Sequence, residues 1–171
     1  MPRLLRLLLT LSLPLFLLDF LTKEWTVQRF HPPEPTFTDQ QTVIPNFFDL
    51  VRVHNTGVAF GMGNGGTHSN WIFGGVSLVA LLFLGWMWRT GAFPTRLSQW
   101  AVALLVSGVL GNLLDRFKRG YVVDFLHFHV EFQGETHYWP AFNVADSCIC
   151  IAAVFLFISA WQKPPTPQPA S

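Results

Sequence analysis

The sequence predicts a membrane α-helical fold, with four transmembrane helices and a small folded structure outside the membrane. Half of the 171 residues are hydrophobic and only 12% are charged, whereas a soluble domain usually contains about 25% charged residues. A helix needs roughly 20 mostly apolar residues to cross a bilayer. Four segments approach this length, at about residues 4–21, 71–88, 97–114 and 144–161. The chain length favours a single domain over about residues 1–163.

The first apolar segment shares one feature with a secretory signal peptide, because Arg3 and Arg6 precede its leucine run. No small-x-small cleavage site follows, however, and the segment leads into Asp19, Lys23 and Glu24. We therefore expect a retained anchor helix. Asp19 and Lys23 are four residues apart, a spacing that suits an ion pair reaching toward the membrane surface. A role for this pair in a functional site is the alternative.

Basic residues predict the orientation of the helices. The termini and the short link at residues 89–96 carry basic side chains and no acid, whereas all ten acids lie in two longer loops or at the helix ends facing them. Short basic loops remain cytoplasmic, so we expect cytoplasmic termini and external loops at about residues 22–70 and 115–143. The Pro-rich tail, residues 164–171, is predicted to be disordered. The net charge of +1 argues against nucleic acid as a partner.

Both external loops contain alternating patterns that are typical of β-strands. In the first loop, Val43 to Asn55 alternates toward its end, and the Gly-rich stretch Gly61 to Gly66 follows as a possible hinge. In the second loop, Tyr121 to Val130 alternates and places Asp124 on a face whose other members are apolar. Burial there should raise the pKa of Asp124, because desolvation disfavours the charged carboxylate.

Asp146, just before the fourth apolar segment, has two interpretations. Asn143 is a good helix N-cap, and Asp146 three residues later completes a capping box, which explains the acid structurally. Alternatively, Asp146 meets Asp124, because the loop that carries Asp124 leads directly into the helix headed by Asp146. When two carboxyl groups lie very close to each other, they share one proton. This is the state that an aspartic protease needs.

The end of the third apolar segment also carries polar residues with two interpretations. Asn112 lies inside the last apolar turn, where it must find a hydrogen-bond partner. Asp115 and Arg116 would be solvated or paired if this is a plain helix end. In the functional interpretation, Asn112 and Arg116 bind a polar backbone or stabilise an oxyanion.

Metal and thiol chemistry are less favoured by the sequence. A loose zinc site is one alternative, although the chain has neither paired cysteines at metal-site spacing nor a His-Glu-x-x-His motif. Its four ligands would be Asp124, His127, His129 and His137. Cys148 and Cys150 are two residues apart inside an apolar helix, so they cannot easily form a disulfide with each other, and we expect both to be small packing residues.

Five motifs occur in order along the chain. The first is Asp19 with Lys23, near the end of the first apolar segment. The other four are Asn55-Thr-Gly-Val-Ala-Phe-Gly61, Gly111-Asn-Leu-Leu-Asp-Arg116, Val122-Val-Asp-Phe125 and Phe142-Asn-Val-Ala-Asp-Ser147. Each motif alone is weak, but five in order on a four-span chain are specific. Together they resemble the lipoprotein signal peptidase (signal peptidase II) family over about residues 10–161.

The resemblance implies a bacterial inner-membrane aspartic endopeptidase that needs no metal or other cofactor. Its four helices would carry a small external β-cradle and a loop over the active site, and a monomer is expected. The substrates would be prolipoproteins bearing a diacylglyceryl group, cleaved on the N-terminal side of the modified cysteine in contact with membrane lipids. Globomycin-type cyclic peptides would inhibit it. Asp124 and Asp146 would be catalytic. The supporting residues would be Asp19, Lys23, Asn55, Gly57, Asn112, Arg116 and Asn143.

A non-enzymatic membrane protein, such as a small transporter, is the competing functional class. Carboxylates within a membrane, such as Asp19 and Asp146, can mark an ion path. The polar residues cluster at one membrane surface, however, and none lies in the middle of the second or fourth apolar segment. A transport path would require polar groups through the full thickness of the bilayer, so the sequence favours the protease.

Overall fold

Four helices and a four-stranded sheet make up the described part of the protein. The computed structural model describes residues 3–34, 39–57 and 69–162. In these ranges, three helices are long and apolar enough to cross a membrane: α1 (Arg3–Arg29), α2 (Ser69–Arg89) and α3 (Arg96–Arg119). The fourth, α4 (Val144–Ala160), is apolar but shorter, at 17 residues. The predicted loop over the site, with its hinge at Gly61–Gly66, and the predicted disordered tail lie outside the described residues.

Helices α1 and α3 extend further than the apolar segments predict. Helix α1 continues to Arg29 and α3 to Arg119, so parts of both predicted external loops are helical. Three basic residues in the last turn of α3 favour this extension, because cations are stabilised near the negative end of a helix dipole. Gly120 then ends the helix in the left-handed conformation, with φ +80°.

Helix α3 lies at the centre of the bundle and contacts each of the other three helices. Small residues permit this close packing. A Cβ added at Gly108 would lie 2.4 Å from the backbone oxygen of Ala145, and one added at Gly111 would lie 2.5 Å from Oδ2 of Asp19. Helix α1 is fixed at a second point, where the Ser12 hydroxyl donates to the carbonyl of Ala103 at 2.7 Å. The backbone of α4 and the Asp19 side chain of α1 therefore approach α3 closely at these two glycines.

The two cysteines have different environments. Cys148 packs in the buried cluster with Ala101 and Ala152, as predicted, whereas Cys150 is exposed. The prediction of a packing role was therefore wrong for Cys150. Positions i and i+2 are separated by about 200° around an α-helix, so two such residues cannot both face one core.

The sheet is antiparallel, with the strand order β1 (Gln40–Ile44), β2 (Phe48–Asn55), β3 (Val122–Phe132) and β4 (Glu135–Tyr138). Strand β3 confirms the pattern at residues 121–130. The predicted strand at residues 43–55 is divided by a turn in which Asn46 has φ 60°. The separate strand β1 was not predicted, because its residues are exposed and show no apolar alternation.

Arg52 joins the sheet to the helices. Its guanidinium is buried and donates to the carbonyls of Val27 and Phe30, at the end of α1, at 3.1 and 3.0 Å. Its Nε donates to Nε2 of His54 at 3.1 Å. Desolvation, followed by the positive charge of Arg52, lowers the pKa of His54 to about 4, so the imidazole is neutral at pH 7. Strand β2, which ends at Asn55, is thereby held against α1.

Candidate active site

Asp124 lies on β3, next to the end of β2. It is 3% exposed, and both carboxylate oxygens accept hydrogen bonds. The side-chain amide of Asn55 donates to Oδ2 at 2.9 Å, and the side-chain amide of Asn143 donates to Oδ1 at 2.7 Å. Asn55 reaches this position because β2 pairs with β3 and Val53 lies opposite Asp124. The carboxyl group thus lies among amides, with little access to solvent.

Asp146 occupies the first turn of α4, where it forms the helix cap that one interpretation of its sequence position predicts. The Asp146 N–H donates to Oδ1 of Asn143 at 2.9 Å, and Oδ2 of Asp146 accepts from the Asn143 N–H at 3.2 Å. This is the predicted capping box. Oδ1 of Asp146 additionally accepts from the side-chain amide of Asn112 at 2.8 Å. The carboxylate is therefore a helix cap whose second oxygen faces the third helix.

Asn143 connects the two acids. It is completely buried, and its side-chain amide binds Asp124 while its backbone N–H binds Asp146. Both acids also line one cavity of about 330 Å³, together with Asn55 and the segment 139–142. The structure thus places Asp124 and Asp146 in the lining of one cavity, whereas the sequence alone left open whether they lie close to each other.

The environment of Asp124 raises its pKa from 3.8 to about 7. Desolvation by burial is the largest cause and the negative charge of Asp146 is the second, while the hydrogen bonds from Asn55 and Asn143 oppose both. The predicted direction is confirmed. A carboxyl group with a pKa near 7 can hold or release a proton at neutral pH, which suits general acid–base chemistry.

A buried charged network lies beneath the two acids. Lys23 forms ion pairs with Asp19 at 2.8 Å and with Asp115 at 3.5 Å, and all three side chains are almost completely buried. The ammonium also donates to Oδ1 of Asn112 at 2.9 Å. The predicted pairing of Asp19 with Lys23 is confirmed, but the pair points into the bundle instead of reaching the membrane surface. Small residues such as Gly111 leave room for it there.

This network fixes the orientation of the Asn112 amide. Oδ1 accepts from Lys23 and, at 3.3 Å, from Asn143, so the NH₂ group must face Asp146. Asp19 fixes the start of α4 as well, because its Oδ1 accepts from the Ala145 N–H at 2.8 Å. Lys23 and Asp19 therefore position the groups that contact Asp146 without belonging to the cavity themselves.

Arg116 contacts the residues after β2. Its Nη2 donates to the carbonyl of Gly57 at 2.9 Å, and its guanidinium lies 5.9 Å from the ring centre of Phe73. The Gly57 N–H in turn donates to Oδ1 of Asn55 at 3.0 Å. Arg116 thus binds a backbone carbonyl of this chain, and its role toward a substrate backbone or an oxyanion stays a prediction. Arg116 holds the end of β2 beside Asp124.

A second cavity, of about 240 Å³, lies between α2, α3 and α4. Arg116 and Asn112 line it together with apolar residues of α2 and α4. It shares Asn55, Asp146 and Cys150 with the first cavity. The two cavities therefore adjoin at Asp146, one toward the sheet and the other toward the apolar helix faces.

The histidines of the zinc alternative lie apart from Asp124. His127 and His129 occupy the opposite face of β3, where His129 is 3.4 Å from the carboxylate of Asp49. In the part of the chain that the structure describes, no three His, Cys, Asp or Glu side chains are placed to hold a metal ion. The structure therefore does not assemble the four predicted ligands.

Sequence reasoning missed two parts of this site, the Ala145 N–H and the segment 139–142. It left Asp115 either solvated or paired, and the structure confirms the pairing. The side chain is 1% exposed, pairs with Arg119 and accepts from the Val123 N–H at 3.0 Å. The position of Asp115, four residues before a basic side chain, was a weak signal. The other two contacts depend on tertiary structure and leave no local pattern.

Comparisons with known proteins agree on one family. The family model described as "Signal peptidase (SPase) II" matches residues 11–162. A lipoprotein signal peptidase from Syntrophotalea carbinolica is 38% identical over 159 residues, which cover 92% of each chain. A second, from Ralstonia nicotianae, is 40% identical over 86% of this chain and 79% of its own. A solved bacterial membrane enzyme superposes with a TM-score of 0.75 and 26% identity, covering 90% of this chain and 86% of that one.

Proposed function

Because the chain belongs to the signal peptidase II family, whose members are membrane proteases, we propose that it acts by aspartic catalysis on bacterial prolipoproteins. The substrate is a precursor whose cysteine carries a diacylglyceryl group, and the bond cleaved is the one preceding that cysteine. One observation carries the proposal. Asp124 and Asp146 both contact Asn143 and line one cavity, and the pKa of Asp124 is raised to about 7. Asp124 and Asp146 are then the catalytic residues.

The pair shares one proton, because two carboxylates in one buried site resist being charged together. The ionised carboxyl group takes a proton from a water molecule, whose oxygen attacks the scissile carbonyl carbon. The protonated carboxyl group donates to the carbonyl oxygen, giving a tetrahedral intermediate without a covalent enzyme adduct. The carbon–nitrogen bond then breaks as the amine of the modified cysteine accepts a proton. The proton is assigned to the pair, not to one acid.

Four spans and an inner-membrane location complete the proposal. Helix α4 has 17 residues, which at about 1.5 Å each cover about 25 Å, somewhat less than a hydrocarbon core of about 30 Å. Its apolar composition and its close packing against α3 favour a fourth span. The basic termini and the basic α2–α3 link face the cytoplasm. The site then lies near the external surface, and a single domain and a monomer remain our expectations.

The substrate approaches from the bilayer. Its signal helix and acyl chains are apolar, and the smaller cavity, between α2, α3 and α4, reaches Asp146 from the apolar side of the bundle. We assign that cavity to the membrane-embedded part of the substrate. Globomycin-type cyclic peptides would compete at Asp146, where the two cavities adjoin.

Two near-isosteric substitutions test the proposal. Asp124→Asn and Asp146→Asn should each abolish cleavage of a purified lipid-modified precursor in detergent or liposomes, because neither asparagine can take or share the proton. Glu131→Gln is the matched control, since Glu131 is an exposed acid on the same strand. Size-exclusion profiles should match those of the wild type. Near-normal turnover by either aspartate variant would refute the assignment, and loss of wild-type activity with EDTA would favour zinc.

A further inference from the structure

A third cavity begins where the aspartate cavity ends. It measures about 480 Å³ and is lined by residues 128–130 of β3, by residues 137–139 and by Phe142. We call it the outer groove. Trp139 and Phe142 line both the outer groove and the aspartate cavity, so the two spaces adjoin at this pair of aromatic residues.

The backbone between the two spaces can receive an extended peptide. The segment 139–142 follows β3, because the Trp139 N–H donates to the Phe128 carbonyl at 2.8 Å and the Phe142 N–H to the Leu126 carbonyl at 3.1 Å. Between these points, and within the described chain, neither the N–H nor the carbonyl of Ala141 has a hydrogen-bond partner. Ala141 also lines the aspartate cavity. Exposed backbone groups beside a sheet are the usual partners of extended peptides.

In the orientation proposed above, the outer groove belongs to the external part of the protein. Strand β3 begins shortly after the end of α3, and residues 128–130 follow Asp124 by four to six positions. At about 3.3 Å per residue, they lie roughly 13 to 20 Å beyond it along the strand. A peptide that continues outward from the scissile bond would reach the groove within a few residues.

We propose that the outer groove binds the mature part of the precursor, from about the second to the sixth residue after the modified cysteine, in extended conformation. This inference rests on the proposed function. The signal helix and the acyl chains belong to the hydrocarbon phase, so the mature chain is the part of the substrate that leaves the site outward. The groove thus gives the protease a binding site on the product side of the cleaved bond.

Tyr138 is the main anchor in this groove. It is 62% exposed and lines the outer groove, so it presents aromatic surface to an incoming chain. Tryptophan and tyrosine are enriched among the residues that dominate peptide and protein binding. Apolar side chains supply most of the lining, and contacts of this kind tolerate varied sequences. A protease that processes many different mature sequences needs such tolerance.

A second use of exposed aromatic residues is to anchor a protein at the membrane surface, where tryptophan and tyrosine are enriched. The two uses differ in one measurable respect. Binding of the mature chain depends on how far the substrate extends past the cysteine, whereas membrane anchoring is indifferent to it.

The experiment therefore measures KM and kcat of each enzyme variant with substrates of two lengths. One lipid-modified precursor peptide ends one residue after the cysteine, and the other continues for eight. The wild type should show at least tenfold lower KM for the longer peptide. Tyr138→Ala should raise KM for the longer peptide about tenfold and leave kcat unchanged, because Tyr138 lines the outer groove and not the aspartate cavity, so the change removes binding common to ground and transition states. With the shorter peptide, the variant and the wild type should agree.

Trp86→Ala is the matched control, since Trp86 lies on α2 and is 61% exposed, and it should have no length-dependent effect. His137→Ala, which alters the same groove, should repeat the effect of Tyr138→Ala more weakly. An equal loss with both peptides, or equal wild-type KM values, would overturn the inference and leave the proposed function intact. If the wild type cleaves neither peptide, the proposed function fails and the inference falls with it.

Discussion

At the scale of single residues, the amides decide how the acids behave. Asn143 binds both acids, and Asn112 turns its NH₂ group toward Asp146 because Lys23 occupies its oxygen. The amides of Asn55 and Asn143 donate to Asp124 and favour its charged form, against a desolvation that favours its neutral form and raises its pKa. The catalytic pKa proposed for this site is the balance of these effects.

Asn55→Ala tests this balance through the pH dependence of cleavage. Activity of the wild type should fall as the pH rises through about 7, because the proton leaves the pair that includes Asp124. Asn55 stabilises the charged form of Asp124, so its removal raises the pKa further and should move this alkaline limb to higher pH. The measurement is kcat/KM against pH for both enzymes. An unchanged limb, or a shift to lower pH, would contradict the assignment.

At the scale of secondary structure, close contacts between helices set the position of Asp146. Helix α4 starts against α3, where a side chain at Gly108 would collide with the Ala145 carbonyl. The sequence predicted the helices from their apolar segments and β3 from its alternation. It could not predict β1, which has no buried face. It also could not predict that the polar ends of α1 and α3 are helical, because these ends are stabilised by tertiary contacts such as the pairing of Lys118 and Arg119 with Glu24.

Gly108→Ala should destabilise the protein, because the added Cβ would lie 2.4 Å from a backbone oxygen that cannot move without α4. Overpacking of this kind costs about 1–3 kcal/mol, which should appear as a lower melting temperature in detergent. Gly85→Ala is the control, since nothing lies within 4 Å of a Cβ there, and it should leave the melting temperature unchanged or slightly higher. Equal melting temperatures for the two variants would show that the packing at Gly108 is unimportant.

At the scale of the whole molecule, the proposed membrane orientation depends on where the acidic and basic residues lie along the bundle. The described acids that surround the cavities lie at one end of the bundle, and the basic α2–α3 link lies at the other. Asp124, Asp146 and their amides were predictable because short motifs carry them. The outer groove was not, because it forms only when the segment 139–142 folds back along β3. Such tertiary contacts cannot be predicted from local sequence patterns.

Thiol labelling tests this orientation. In a Cys150→Ala background, where the remaining Cys148 is buried, Glu135→Cys should react with a membrane-impermeant maleimide in cells with an intact inner membrane. Thr90→Cys, in the turn after α2, should react only after that membrane is broken, because it is expected on the cytoplasmic side. Both wild-type positions are exposed, so accessibility within the fold is matched. The reverse labelling pattern would invert the proposed topology.

The contact between Asp19 and Ala145 has a consequence for biosynthesis. It joins the first helix to the last across 126 positions of the chain, and Asn143 and Asp146 belong to the same late segment. While ribosomes are still producing that segment, Asp124 lacks both its partner acid and one of its two amide donors. The newborn enzyme is therefore expected to be inert until its final helix has entered the membrane and docked. Peptide-bond cleavage would then begin only after the whole chain has been synthesised and folded.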